Sequence, residues 1–306
     1  DYTKEKTWGK NQFNSSFPAS LIAYMSSKGI LPVYICLDKK QNIVHKTISG
    51  TDLFGIDPLS DDLYYGFESN YFPYNKFYTG KSERIDLVLS NRHTNNPLRG
   101  FEVKLTALPD NTTKDLTEDK YSCEIVVRPP AICFVACSIC SHYSNDRGKQ
   151  KLRTLLSGVP YITHWEMIEE VAPHYTSIRD AVIRVMCDMT NHQSPLIIQP
   201  VWKTNGKNLR LTDDCLDAFV WSDIAVIKMC IDTVYTEMDI NRFQRTVIWI
   251  YKMLFDYVTY GQFDYITIIK NQYYGTANDK AFSMPGSRSY DFLKSKELTH
   301  PRIGKN

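Results

Sequence analysis

An α/β fold built on a mixed sheet is what this 306-residue sequence predicts, and three observations predict it. The first half carries short runs in which apolar and polar residues alternate between turn residues. The second half carries longer segments with apolar residues every three or four positions. A further strand-turn-strand pattern lies among those late helices, so the sheet has helices both before and after it.

The elements follow in order. In "SFPASLIAYMSSKG", Pro18 suits a first helical turn, Leu21, Ile22 and Met25 form an apolar stripe, and Gly29 is a stop. "ILPVYICLDKKQNIVHKTIS" reads as two strands joined by a polar turn at Lys39 to Asn42. "DLYYGFESNYFPYNKFYTG" is too irregular to assign. "RIDLVLS" and "GFEVKLT" are two more strands, joined by "NRHTNNPLRG". "SCEIVVRP" and "AICFVACSI" add two others, separated by Pro129 and Pro130. Helices then dominate. "THWEMIEEVAPHY" opens with Thr163 and Glu166 at capping-box spacing, and "SIRDAVIRVMCDM" repeats that spacing with Ser177 and Asp180. The second of these has Ile178, Val182, Val185 and Met189 on its apolar face. "NRFQRTVIWIYKMLFDYV" aligns Phe243, Val247, Ile250, Leu254 and Val258. Between them, "SPLIIQPVWKTNGKNLRL" is the strand-turn-strand pattern, with a polar, basic tip.

Composition sets bounds. The length suits one elaborated domain, and 43% hydrophobic and 13% aromatic residues supply a substantial core. The expected division is a catalytic core over about 15–165, with helical and recognition elaborations over about 166–306. A net charge of +2 excludes a supercharged nucleic-acid tail, although Arg147 to Arg210 holds nine Lys/Arg against five Asp/Glu, compatible with a phosphate-contacting face. The tight cysteine cluster "CFVACSIC" lies in an apolar run with only His142 close by. Buried thiols in a reducing cytosol are therefore expected, rather than a zinc knuckle. No apolar stretch has the length of a membrane span, and no signal-peptide pattern is visible.

Three charges sit on strands that should be clean. Alternation puts Phe101, Val103 and Leu105 on one face of "GFEVKLT" and Glu102, Lys104 and Thr106 on the other. In "RIDLVLS", Asp86 shares a face with Val88 and Ser90. If the two strands are neighbours, as sequential strands often are, Asp86 and Glu102 approach each other with Lys104 beside them. Two carboxylates suit a hard divalent cation that polarises a phosphate and acidifies water. An adjacent ammonium orients or deprotonates that water and offsets charge developing on phosphorus. Pattern alone leaves a solvated strand face equally open, since acid-x-Lys also occurs at Asp38–Lys40 and Glu118–Lys120.

Asp86 followed by Glu102-x-Lys104 on the next strand resembles the PD-(D/E)XK nuclease motif, with Ile85 where that motif has proline. "FPASLIAYM", "LFGIDPLSDDLYYGFESNYFPYNKFYTGKSERIDLVL", "GFEVKLTALPD" and "SPLIIQPVWKTNGK" are similar to the HindVP-type family of type II restriction endonucleases. The resemblance implies a restriction-endonuclease-like αβββαβ core, a mixed sheet flanked by helices, with helical and hairpin elaborations. It also implies Mg²⁺-dependent phosphodiester hydrolysis of double-stranded DNA at a short palindromic site with central CG character, by a homodimer in the bacterial cytoplasm. Carried over, Asp86 and Glu102 bind metal and Lys104 is the catalytic lysine. Glu68, taken as lying on an upstream helix, is the candidate for an added acid; Glu124 is a weaker one.

For reading DNA, "QPVWKTNGKNLR" offers Gln199, Lys203, Asn205, Lys207, Asn208 and Arg210 on a hairpin able to enter a major groove. An ordinary exposed turn has the same composition. Arg147, Lys149, Lys151 and Arg153 are candidate phosphate contacts, and Arg288 a further one.

Overall fold

In a computed structural model, the structure describes residues 18–80, 83–108, 124–192, 194–204, 211–232, 240–272, 282–285 and 303–304. Helix α1 covers 18–27 and is closed by Gly29, whose φ of +68° a side chain would resist. Strands β1 (Val33–Leu37) and β2 (Ile43–Thr47) form a hairpin whose turn is held by Asp38, which accepts the Lys40 and Asn42 N–H groups. Then follow α2 (Gly50–Phe54), capped by Ser49, β3 (Leu63–Asn70), a 3₁₀ turn (Phe72–Tyr74), β4 (Tyr78–Thr79), β5 (Arg84–Asn91), β6 (Pro97–Val103), β7 (Thr106–Leu108) and β8 (Glu124–Val127).

The helical part comprises α3 (Pro129–His142), α4 (Asp146–Leu155), α5 (Ile168–Val171) and α6 (Tyr175–Asp188). Strands β9 (Pro195–Thr204) and β10 (Leu211–Ser222) come next, then α7 (Asp223–Asp232), α8 (Arg242–Tyr260), β11 (Phe263–Asp264), α9 (Tyr265–Gln272), β12 (Phe282–Pro285) and β13 (Ile303–Gly304).

The main sheet runs β2-β1-β10-β9-β6-β5-β3, with β7 extending along β9 and β13 pairing β10. β3, β5 and β6 are an antiparallel meander; the chain then crosses through α3 to α6 and returns as β9, parallel to β6. This is the mixed α/β arrangement of a restriction-endonuclease-like core. Because β9 and β10 lie mid-sheet, the sheet draws strands from both sides of residue 165.

Alternation sends the two faces into two cores. Val33, Ile35, Val88, Ile197, Val201, Phe219 and Trp221 pack with the buried sides of α3, α6, α7 and α8. Tyr34, Leu87, Leu89, Phe101, Val103, Ile198 and Val220 pack with Leu21, Ile22 and Met25 of α1 and with Leu53 and Phe54 of α2. The sheet is thus covered on both faces, as a strand pair parallel at its centre requires.

Three expectations are corrected. "AICFVACSI" is helix, not strand: Pro129 and Pro130 occupy the first turn of α3, where the missing N–H costs nothing, and Ala131 to Cys140 are buried throughout. A run that is apolar on every side has no period to tell helix from strand. Its Cys133, Cys137 and Cys140 are buried free thiols, as expected. The spacing Thr163–Glu166 forms no capping box; Glu166 pairs with His164 instead, and helix begins only at Ile168. Ser177 lies inside α6, which starts two residues earlier. Among the described residues, a capping box does form at Asn241–Gln244, at the start of α8.

Candidate active site

Asp86, Glu102 and Lys104 meet where the β5–β6 ladder stops. The last paired residues are Leu87 and Phe101. The Lys104 N–H donates to the Ile198 carbonyl of β9 at 3.0 Å, so by alternation the Val103 N–H points back toward β5. There it finds not a backbone carbonyl but the Asp86 side chain, whose Oδ2 accepts it at 2.8 Å. Asp86, half-buried, is therefore fixed at the point where the two strands part.

Glu102 lies between β5 and β9, in register with Ile197, and Lys104 follows two residues later on the same face. Both are buried, at 6% and 8% exposure, and Lys104 Nζ donates to Glu102 Oε1 in a short ion pair. Burial pushes the Glu102 carboxyl above its usual range. The Lys104 ammonium opposes that shift, and the negative charge of Asp86 adds to it. A carboxylate that is desolvated and faces a second carboxylate is stabilised by any cation between them. Hard oxygen donors of this kind suit a Mg²⁺-type ion with water and substrate oxygens completing its shell. Among the described residues, no group of three His, Cys, Asp or Glu side chains is placed to hold a metal.

Pro200 was not singled out from the sequence. β7 continues the register of β6 along β9, yet the ladder breaks between Val103 and Thr106. In a parallel ladder the next bond would run from the N–H of residue 200 to the Lys104 carbonyl. Pro200 has no N–H. A proline on an interior strand is unusual, and this one removes the ladder donor for the Lys104 carbonyl while the Lys104 N–H stays bonded to Ile198. The legible signal was a proline inside the apolar run Leu196 to Val201.

Glu68 is not on an upstream helix. It is exposed on β3, where the flanking pairs Phe67–Leu87 and Ser69–Ile85 set it opposite Asp86, with an unusual φ of +40°. Glu124 begins β8, which pairs with β12 apart from the main sheet, so it is not on a strand beside β6.

On the DNA-reading side, β9 and β10 form the expected antiparallel hairpin, with Lys203 on β9. Asn205, Lys207, Asn208 and Arg210, between these strands in sequence, and Arg288 lie outside the described residues. Gln199 is fully buried and accepts the Trp221 indole N–H at 3.0 Å, which makes it a core residue. The basic residues of α4 are largely engaged with neighbouring helices: Lys151 pairs with Asp188, Arg153 donates to the Val258 carbonyl, and Lys149 lies over the Tyr257 ring. No helix of the described residues is long and apolar enough to cross a membrane.

Comparison with known proteins adds three findings. The model of the HindVP restriction endonuclease family matches residues 8–306. The type II restriction enzyme HgiDI of Herpetosiphon aurantiacus is 37% identical over 306 residues, spanning 99% of this chain and 84% of that protein. The probable type II restriction enzyme HindVP of Haemophilus influenzae is 37% identical over 311 residues, spanning 100% of this chain and 82% of that protein. No solved structure matches the chain.

Proposed function

The chain belongs to the HindVP restriction endonuclease family, and on that premise we propose that it is a Mg²⁺-dependent type II restriction endonuclease, cutting double-stranded DNA at a short palindromic site. The observation that carries the reading is the buried Glu102–Lys104 pair on the strand next to Asp86, with Asp86 pinned to the Val103 N–H.

The family works with a divalent metal, and Mg²⁺ is the ion proposed here. Asp86 and Glu102 would hold it, with Glu68 as a further carboxylate. When bound, such an ion polarises the phosphate and makes water more acidic. The remaining work falls to the chain. The Val103 N–H fixes the orientation of Asp86. Glu102 holds the Lys104 ammonium at the site, where it donates hydrogen bonds to the attacking water and to phosphate oxygens as they gain charge. Because Lys104 and Glu102 are both shielded from solvent, that interaction is stronger than it would be at a surface. Lys203, Asn205, Lys207, Asn208 and Arg210 of the β9–β10 hairpin would contact base edges in the major groove. A homodimer in the bacterial cytoplasm would match a palindromic site by its own two-fold symmetry.

Incubation with a sequenced plasmid tests this. Discrete fragments formed with Mg²⁺ and abolished by chelation are expected, with ends sharing one palindromic sequence. Structure-selective nicking would make it a repair or junction nuclease instead, and intact plasmid would make it a non-catalytic DNA-binding protein.

A further inference from the structure

Beside Asp86, the face of β3 and β5 opens into a cavity of about 380 Å³ whose walls include Tyr64, Glu68, Asn70, Phe72, Arg84 and Ser90. Its origin is local. Gly66, opposite Val88, contributes no side chain, and a Cβ there would come within 2.9 Å of the Ser69 hydroxyl. Along β5, Arg84, Val88 and Ser90 all line the cavity. Glu68, which also lines it, stands opposite Asp86 in the register, so the cavity lies next to the candidate carboxylate.

Arg84 is exposed, and among the described residues its guanidinium has no hydrogen bond or ion pair. It pairs across the sheet with Asn70, which puts a guanidinium fork and an amide on the same rim. Residues two apart on a strand are separated by about 6.7 Å, a step comparable to one nucleotide of backbone. The Phe72 ring, 65% exposed, and Tyr64 offer apolar surface suited to a deoxyribose. Glu68 on the same wall disfavours a free phosphate dianion and leaves a singly charged diester as the better fit.

We infer that this cavity receives the sugar-phosphate unit next to the scissile phosphate, with Arg84 gripping its diester as a positioning residue. The inference rests on the nuclease reading above.

The test uses a duplex containing the mapped cleavage site, with a neutral methylphosphonate placed in turn at each phosphate flanking the cut. Binding is measured without divalent metal at several salt concentrations, and single-turnover cleavage with Mg²⁺. Arg84→Ala should weaken binding about ten-fold and lower the salt slope by about one. Its cleavage rate at saturating DNA should also fall, but by less than the loss in binding, because a positioning contact and no reacting group is removed. Arg84→Lys, which keeps charge but not the fork, should fall between. One methylphosphonate should weaken wild type by the same factor and have no further effect on Arg84→Ala. An unchanged salt slope, or two effects that multiply, would overturn the assignment while wild-type cleavage of the unmodified duplex persisted. A wild-type protein that left that duplex uncut would instead overturn the nuclease reading, and the cavity assignment with it.

Discussion

Replacing Lys104 by Met removes the ammonium of the central ion pair but keeps most of the side-chain stem and its packing. The side chains of Lys104 and Glu102 are 9% and 8% exposed, so the change leaves a carboxylate with little access to water and with Asp86 as a like-charged neighbour. Removing one partner of a buried pair costs about 3–5 kcal/mol. The positive charge of Arg128 still favours ionised Glu102, which places the expectation near the lower end, about 3 kcal/mol. Glu102→Gln should cost less, about 1–2 kcal/mol, because Asp86 remains to offset the ammonium. The double variant, Glu102→Gln with Lys104→Met, has no stranded charge and should be more stable than Lys104→Met alone. That corresponds to a coupling of about 2 kcal/mol. Urea denaturation at neutral pH without divalent metal measures all four proteins, and plasmid cleavage with Mg²⁺ runs in parallel. All three variants should fail to cut. A Lys104→Met protein within about 0.5 kcal/mol of wild type, or additive effects in the double variant, would refute the buried-pair argument. Wild-type cleavage by Lys104→Met would refute the role given to the lysine.

Three further outcomes are expected. Asp86→Asn keeps an oxygen for the Val103 N–H and should fold normally while losing cleavage; Asp86→Ala should also lose about 1–2 kcal/mol in denaturation, and equal stability of the two would remove the capping role. Pro200→Ala returns an N–H opposite Lys104 and should draw that segment into the ladder, leaving stability unchanged or raised while cleavage falls several-fold; full activity would show that the break is merely tolerated. Asp223, fully buried and bonded to the Ser138 hydroxyl and the Ile224 N–H, has its carboxyl pushed up to about 6 by burial. Its folded pKa exceeds the unfolded value, so its contribution is complete below about pH 4 and lost as pH rises through 6, about 3 kcal/mol in all. Asp223→Asn should therefore gain on wild type at pH 8 and not at pH 4, and parallel stability curves against pH would contradict this.

Much of the candidate site was legible because alternation holds along β6. Once "RIDLVLS" and "GFEVKLT" are neighbours, Phe101 and Val103 must enter one core, and Glu102 and Lys104 must face the other way. The hairpin of β9 and β10 and the stripes of α1, α6 and α8 were legible for the same reason, since each exposes one face and buries another. What could not be read were elements without such an asymmetry. The helix α3 is apolar all round, and its identity rests on two prolines at its start. Glu68 was misplaced because β3 carries Gly66 and a left-handed residue, which blur the strand pattern.

The finest features of the site lie where regular structure fails, and periodicity carries no information there. Asp86 takes the Val103 N–H only because β5 and β6 part at that residue, and the Lys104 carbonyl loses its donor only because residue 200 is proline. Each departure has a physical consequence. The first converts a ladder bond into a clamp on a carboxylate; the second removes one of the ladder bonds beside the lysine while its own N–H stays bonded to β9. A sheet that stayed regular through residues 85–105 would bury the same apolar side chains, yet it would leave Asp86 without its backbone donor and bind the Lys104 carbonyl as well as its N–H to β9. The two irregularities therefore belong to the site as much as the charges do, which is why Pro200→Ala, a change to an apolar residue with no reacting group, is expected to reduce cleavage without loosening the fold.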